Sequence, residues 1–291
     1  MEINAEQVRL LRETTGIGMM QCKAALVEAN GDMDKAVENL RKQGQVTAAK
    51  RAGKAAKEGI VSILIDQHAA IMYEVNSETD FVARNDDFIS FVKSLGKELL
   101  AKKPDDIIAA KAVTLPDMGN LSADAKVTEL IGKIGEKISF RRYSIVRYNN
   151  ATERVFSYVH GGGKIGILIT VAAPATSLDN PALAELGKDL AMQVAAANAI
   201  APNRNSITAD IIAKEKEIYL SQAQTSGKPE KVWEKMVEGK LEKFYKETCL
   251  TEQAYIRNPE ITVNARIAET EKTVGGSISV VNFVRFELGA E

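Results

Sequence analysis

The chain repeats itself, and this limits its fold more than any other feature does. Ile71-Met72-Tyr73-Glu74-Val75 corresponds to Ile167-Leu168-Ile169-Thr170-Val171. Each run leads to a helix with the same landmark, Leu95-Gly96-Lys97-Glu98-Leu99 in one case and Leu186-Gly187-Lys188-Asp189-Leu190 in the other. A duplicated strand-and-helix unit has two similar faces to bury, so we expect an α+β core of two related α/β subdomains with antiparallel sheets. Counted from strand end to helix landmark, the first copy is longer by about five residues, read as an insertion within residues 76–85. An insertion on a rigid scaffold is a place where one copy acquires a function its sister lacks.

The 291 residues leave room for more than two such units. The first forty or so read as three short helices. Asn4 and Gln7 form a capping box ahead of Val8 and Leu11, and Thr14-Thr15-Gly16 ends that helix. Cys22, Ala25 and Leu26 share one face of the second; Asp32 caps a third whose Ala36, Val37 and Leu40 turn inward. Residues 43–59 then read as an Ala/Lys/Gly linker. The acid-free run 41–57, with Arg41, Lys42, Lys50, Arg51, Lys54 and Lys57, is either a solvated tether or a surface for an acidic partner.

Strands are expected at 60–65, 71–75, 137–148, 155–160 and 165–172, with helices at 86–103 and 123–134. Helical stretches at 208–225 and 229–248 flank the turn Ser226-Gly227-Lys228-Pro229. Ile211 and Ile218 on the first, and Trp233, Val237, Leu241 and Phe244 on the second, form a narrow stripe that suits an antiparallel coiled-coil hairpin. Ile278, Val280, Val284, Phe286 and Leu288 alternate along a closing strand. The expected domains are 1–53, three helices and a basic linker; 54–148, the first core subdomain; 149–207 with 249–291, the second; and 208–248, the coiled-coil insertion.

Composition excludes several classes of function. With 38 Lys+Arg against 39 Asp+Glu, no overall basic excess points to nucleic acid. Two cysteines, Cys22 and Cys249, and two histidines, His68 and His160, are too few for a disulfide framework or a His/Cys metal centre. No apolar run reaches the ~20 residues of a membrane span. The first residues lack the basic start and apolar core of a signal peptide, so a cytoplasmic protein is expected. Gly161-Gly162-Gly163-Lys164-Ile165-Gly166 is not a phosphate loop, because Tyr158 and Ile165 stand where Gly and Ser or Thr are needed. It reads as a hairpin turn. Neither GxSxG nor HExxH occurs, and no GxGxxG follows a strand, so no enzyme is indicated.

The segment Ser77-Glu78-Thr79-Asp80-Phe81-Val82-Ala83-Arg84-Asn85 sets an aromatic beside a carboxylate. In one reading Phe81 folds back onto the core and Asp80 caps a helix. In the other Phe81 enters an apolar pocket of a partner, where an aromatic anchor contributes ~2 kcal/mol or more.

Leu11-Arg12-Glu13-Thr14-Thr15-Gly16-Ile17-Gly18-Met19-Met20-Gln21-Cys22-Lys23-Ala24-Ala25-Leu26, Thr79-Asp80-Phe81-Val82, Lys133-Ile134-Gly135-Glu136 and Tyr158-Val159-His160-Gly161 resemble, in that order, the bacterial elongation factor Ts family. The resemblance runs from the first helix to the closing strand. It implies an N-terminal domain similar to ubiquitin-associated domains, a duplicated core, a coiled coil, and guanine nucleotide exchange on elongation factor Tu. It also implies that Asp80 and Phe81, with Thr79 and Val82, push between two helices of the GTPase beside its magnesium and GDP. Arg12, Met19, Met20 and Lys23 match N-terminal contact positions, Arg51 a basic linker position, and Ile134, Gly135 and His160 core contact positions. Near Tyr255-Ile256-Arg257 relatives can carry two apolar residues in sequence; here the second is Arg257, leaving Ile256 as the expected contact. No cofactor, metal or direct nucleotide binding is expected of this chain, nor a membrane or nucleic-acid partner. The alternative is a non-catalytic protein- or RNA-binding scaffold of the translation machinery.

Overall fold

The computed structural model describes residues 3–290, which form two compact units. The first runs to Val146 and includes Gly161–Lys164 and the residues from Phe286; the second comprises Arg147–His160 and Ile165–Arg285.

The first unit opens with α1 (Ala5–Thr15), α2 (Met19–Glu28) and α3 (Met33–Arg51). Asn4 and Gln7 form the expected capping box, and Asp32 accepts the Lys35 N–H at 3.1 Å to start α3. Leu11, Cys22, Ala25, Leu26, Ala36 and Leu40 close the small core. The linker expected from residue 43 is corrected, because α3 continues to Arg51. Gly44 does not break the helix. It is buried where α3 crosses α7 (Ala123–Ile134), and a Cβ on Gly132 would lie 2.8 Å from its Cα. A mid-helix glycine costs about 1 kcal/mol, but here it allows two backbones to meet.

β1 (Glu58–Ile65), β2 (Ala69–Ser77) and β5 (Ile138–Arg147) form an antiparallel sheet in the order β1-β2-β5. Between β2 and β5 lie α4 (Asp80–Ala83), α5 (Asp86–Lys102), α6 (Ile107–Lys111), the short pair β3 (Thr114–Leu115) and β4 (Leu121–Ser122), and α7. Phe88, Phe91, Val92, Leu95 and Leu99 of α5 and Val127, Leu130 and Ile131 of α7 share a core with Ile71, Tyr73 and Val75 of β2. Tyr73 donates its hydroxyl to the Val92 carbonyl at 2.8 Å, and burial pushes that hydroxyl up to about 12. On β2 the buried Glu74 carboxylate accepts Arg142 Nε at 2.6 Å, Asn76 Nδ2 at 2.9 Å and Gly289 N at 2.9 Å. The Arg142 guanidinium also covers the Phe286 ring at 4.2 Å, so residues from Phe286 onward are fastened to this unit.

The second unit repeats the plan. β6 (Glu153–His160), β7 (Ile165–Ala172) and β10 (Ser279–Glu287) lie in the order β6-β7-β10. Between β7 and β10 come α8 (Pro181–Ala197), the inserted pair α9 (Ala209–Gln224) and α10 (Trp233–Thr248), the hairpin β8 (Ala254–Tyr255) and β9 (Asn258–Thr262), and α11 (Val263–Val274). A short hairpin thus precedes the second core helix in both copies. Two findings correct the sequence reading. Connectors 78–85 and 173–180 are equal in length, so the extra residues of the first copy are not a loop insertion. They fall largely in an added N-terminal turn of α5, which carries Phe88 into the core. On α9, Ile211 and Ile218 face solvent at 38% and 48% exposure, whereas Ile212, Tyr219 and Ala223 turn inward. Seven-residue spacing alone selected the wrong face.

The shared Leu-Gly-Lys landmark has a steric cause. A Cβ on Gly96 would strike Tyr73 and Leu64, and one on Gly187 would strike the Phe156 ring. The ring sits on opposite members of the strand pair: Tyr73 lies across from Ser62, and Phe156 lies across from Ile169. Among the described residues no helix is long and apolar enough to cross a membrane.

Gly187→Ala is expected to lower the unfolding midpoint by the equivalent of about 1–3 kcal/mol despite alanine's better helix propensity. Thermal or denaturant melts of the variant check this, and a stabilised protein would contradict the close-approach account.

Candidate protein-interaction site

Thr79 starts the exposed tip of the first unit. Its hydroxyl accepts the Val82 N–H at 3.4 Å and so caps α4, the role one sequence reading gave to Asp80. Asp80 instead pairs with Arg84 one turn on, at 2.9 Å. Phe81 is 79% exposed and does not fold back. Val82 packs into the core at 7% exposure and so anchors the tip from beneath, leaving little of itself for direct contact. The turn therefore has an apolar root and an aromatic crown.

Other predicted residues converge on the same region through α7. A Cβ on Gly16, in the α1–α2 turn, would meet Lys133, whose Nζ pairs with Asp87 at 2.8 Å at the start of α5. Gly135 ends α7 at φ 83° in open space, a conformation that L side chains rarely adopt, so its glycine is explained by the turn itself. Ile134 is half-buried against the core. Glu136 follows and accepts both the N–H and the hydroxyl of Thr79. Met19 and Met20 are exposed at 54% and 78%, and Arg12 and Lys23 are also exposed. Arg51, expected at the partner surface, is partly exposed and pairs with Glu78, its Nη1 at 3.2 Å from both carboxylate oxygens. Its charge is satisfied within the fold.

In the second unit, His160 is exposed at the end of β6, where its Nδ1 lies 2.9 Å from the Tyr158 hydroxyl. Ile256 caps the β8–β9 turn at 45% exposure. Two buried polar side chains of α8 hold that turn. Gln193 Oε1 accepts the Ile256 N–H at 2.7 Å, and Asp189 accepts the Tyr255 hydroxyl and pairs with Arg257 Nη2 at 2.8 Å. Burial first, and then Asp189, raise Tyr255 above the ordinary tyrosine range. Arg257 thus reaches back to α8, so an arginine beside Ile256 supports the turn.

Sequence reasoning missed Glu78, Glu136, Asp189 and Gln193 as supports. Only the Lys-Ile-Gly-Glu motif hinted at one of them. Among the described residues no group of three or more His, Cys, Asp or Glu could hold a metal ion. Exposed methionines and an aromatic on a braced turn suit binding to a protein, where apolar and aromatic anchors supply most of the energy.

The elongation factor TS family model matches residues 78–290. Over 289 residues the chain is 46% identical to elongation factor Ts of Clostridioides difficile (strain 630), covering 99% of this chain and 93% of that protein. Elongation factor Ts of Clostridium botulinum (strain Alaska E43 / Type E3) is 43% identical over 295 residues, again covering 99% and 93%. The Clostridium novyi (strain NT) protein of the same name is 41% identical over 292 residues, with the same shares. These relatives are all elongation factors Ts. The chain belongs to the elongation factor Ts family, and with it to the elongation stage of protein biosynthesis.

Arg257→Ala leaves the buried Asp189 without its charged partner, and the expected loss is about 1–3 kcal/mol of stability. Denaturant unfolding measures it, and an unchanged midpoint would mean that the pair does not support the turn.

Proposed function

We propose that the chain is a guanine nucleotide exchange factor that binds elongation factor Tu·GDP and speeds GDP release by wedging the Asp80–Phe81 turn beside the partner's magnesium and nucleotide. The observation that carries this reading is Phe81, 79% exposed on a turn rooted in the core. A soluble protein gains nothing by exposing so large a ring alone on a rigid turn, whereas a partner pocket would bury it. The chain makes and breaks no covalent bond and holds no cofactor of its own; the magnesium and GDP it acts on belong to the partner.

Exchange of this kind is linkage. If the factor weakens nucleotide binding by some ratio, nucleotide weakens factor binding by the same ratio. A ~10⁴-fold faster release requires roughly 5.5 kcal/mol of barrier lowering. One phenylalanine supplies only part of it, so Arg12, Met19, Met20, Lys23, Ile134, Gly135, His160 and Ile256 are assigned binding energy and the tip the disruption. Residues 1–53 form the ubiquitin-associated-like domain in this reading, and 54–148 and 149–207 with 249–291 the two subdomains. Residues 208–248 make a coiled-coil hairpin, and the protein works in the cytoplasm. The RNA-binding form of the scaffold alternative would use the basic run, in which Lys42 and Arg51 pair with Glu38 and Glu78 while Arg41, Lys50, Lys54 and Lys57 lie exposed.

Phe81→Ala is expected to slow GDP release from elongation factor Tu by about tenfold or more, since a lost anchor costs ~2 kcal/mol. Its melting should stay near wild type because the ring makes little of the core. Stopped-flow release of labelled GDP checks the first expectation; an unchanged rate would remove the wedge from the mechanism.

A further inference from the structure

Two carboxylates tie down the exposed tip, and the exchange reading gives them no part. Glu78 Oε1 accepts the backbone N–H of Lys137 at 2.6 Å. In return Glu136 accepts the backbone N–H of Thr79 at 3.2 Å and its hydroxyl at 3.0 Å. The adjacent pairs 78–79 and 136–137 thus exchange one carboxylate in each direction. Arg51 clamps Glu78 from the end of α3, and Lys137 Nζ reaches back to the carbonyls of Ala52 at 2.6 Å and Lys54 at 2.7 Å. A backbone N–H points where its peptide points, so a carboxylate that accepts one fixes direction as well as distance. Glu78 is largely buried and Glu136 partly so, and the core beneath already holds Val82, so the two acids add direction to a turn that the core already roots.

We infer that Glu136 and Glu78 are positioning residues for nucleotide exchange: they fix the angle at which Phe81 enters the partner, and Arg51 couples the last turn of α3 to that angle. This rests on the exchange reading above and deepens it. A site that is present but mis-aimed by about an ångström loses rate far out of proportion to its loss of affinity.

The test uses the full chain and elongation factor Tu loaded with labelled GDP, with release followed while the factor is titrated. Glu136→Ala should lower the maximal release rate about tenfold, with less than about a twofold change in the half-saturating concentration. Glu136→Gln keeps an acceptor for the Thr79 N–H and should restore most of the rate. In a Phe81→Ala background Glu136→Ala should add nothing, since both changes disable the same element. Additive losses, a shift in half-saturation alone, or failure of the glutamine to rescue would each overturn the positioning role. If Glu136→Ala does not fold, Arg51→Met takes its place in the same cycle with the same expected rates; a change confined to half-saturation would then overturn the coupling and place Arg51 in contact with the partner. Wild-type protein that leaves GDP release unaltered would overturn the exchange reading and this inference with it.

Discussion

Each half of the molecule depends on one helix lying unusually close to its sheet. Gly96 and Gly187 permit that approach, since any side chain there would occupy space already held by Tyr73 or Phe156. Interiors packed to crystal density accept no such overlap without moving backbone. The seat fixes the height of the first core helix, and the helix fixes where its preceding connector leaves the sheet. In the second unit that connector is a plain 3₁₀ turn, Ala175–Ser177; in the first, an added helical turn and Val82 hold out the short helix that carries Phe81. The working difference between two similar halves follows from how they pack.

Much of the fold was legible because it is written in local periods. The strand pairs, the helix Ala123–Ile134, the Asn4 and Asp32 caps and the order of the two copies all follow from residues near one another in sequence. What misled was information held elsewhere. Gly44 looked like a break because the glycine it crosses, Gly132, is far along the chain. Ile211 and Ile218 looked like a buried stripe because spacing gives a face without saying which way it points. The longer first copy looked like a loop because counting cannot distinguish loop residues from one more turn of helix.

The candidate site was legible at its tip and not in its support. Phe81 attracts notice as an aromatic beside a carboxylate, Met19 and Met20 through the family resemblance, and all three are exposed. Val82, in the same motif as Phe81, packs into the core, and Arg51, matched as a basic linker position, pairs with Glu78. Glu136, Asp189 and Gln193 act on backbone or side-chain groups 57 to 68 positions away, which no local pattern records. In both units the exposed apolar residue is one feature and the polar side chain that aims it another, and only the first has a sequence signature.

Glu74 has a consequence for the order in which this chain can settle during synthesis. Its buried carboxylate sits on a strand made early, yet its bond from the Gly289 backbone, and the Phe286 ring over its partner Arg142, come from residues made more than two hundred positions later. Where domains form from the N-terminus onward, this charge first has Arg142 and Asn76 alone for its shell. Arg142 and Asn76 can meet the carboxylate as soon as the first unit is made, but its shell is complete only once residues 286–289 have followed.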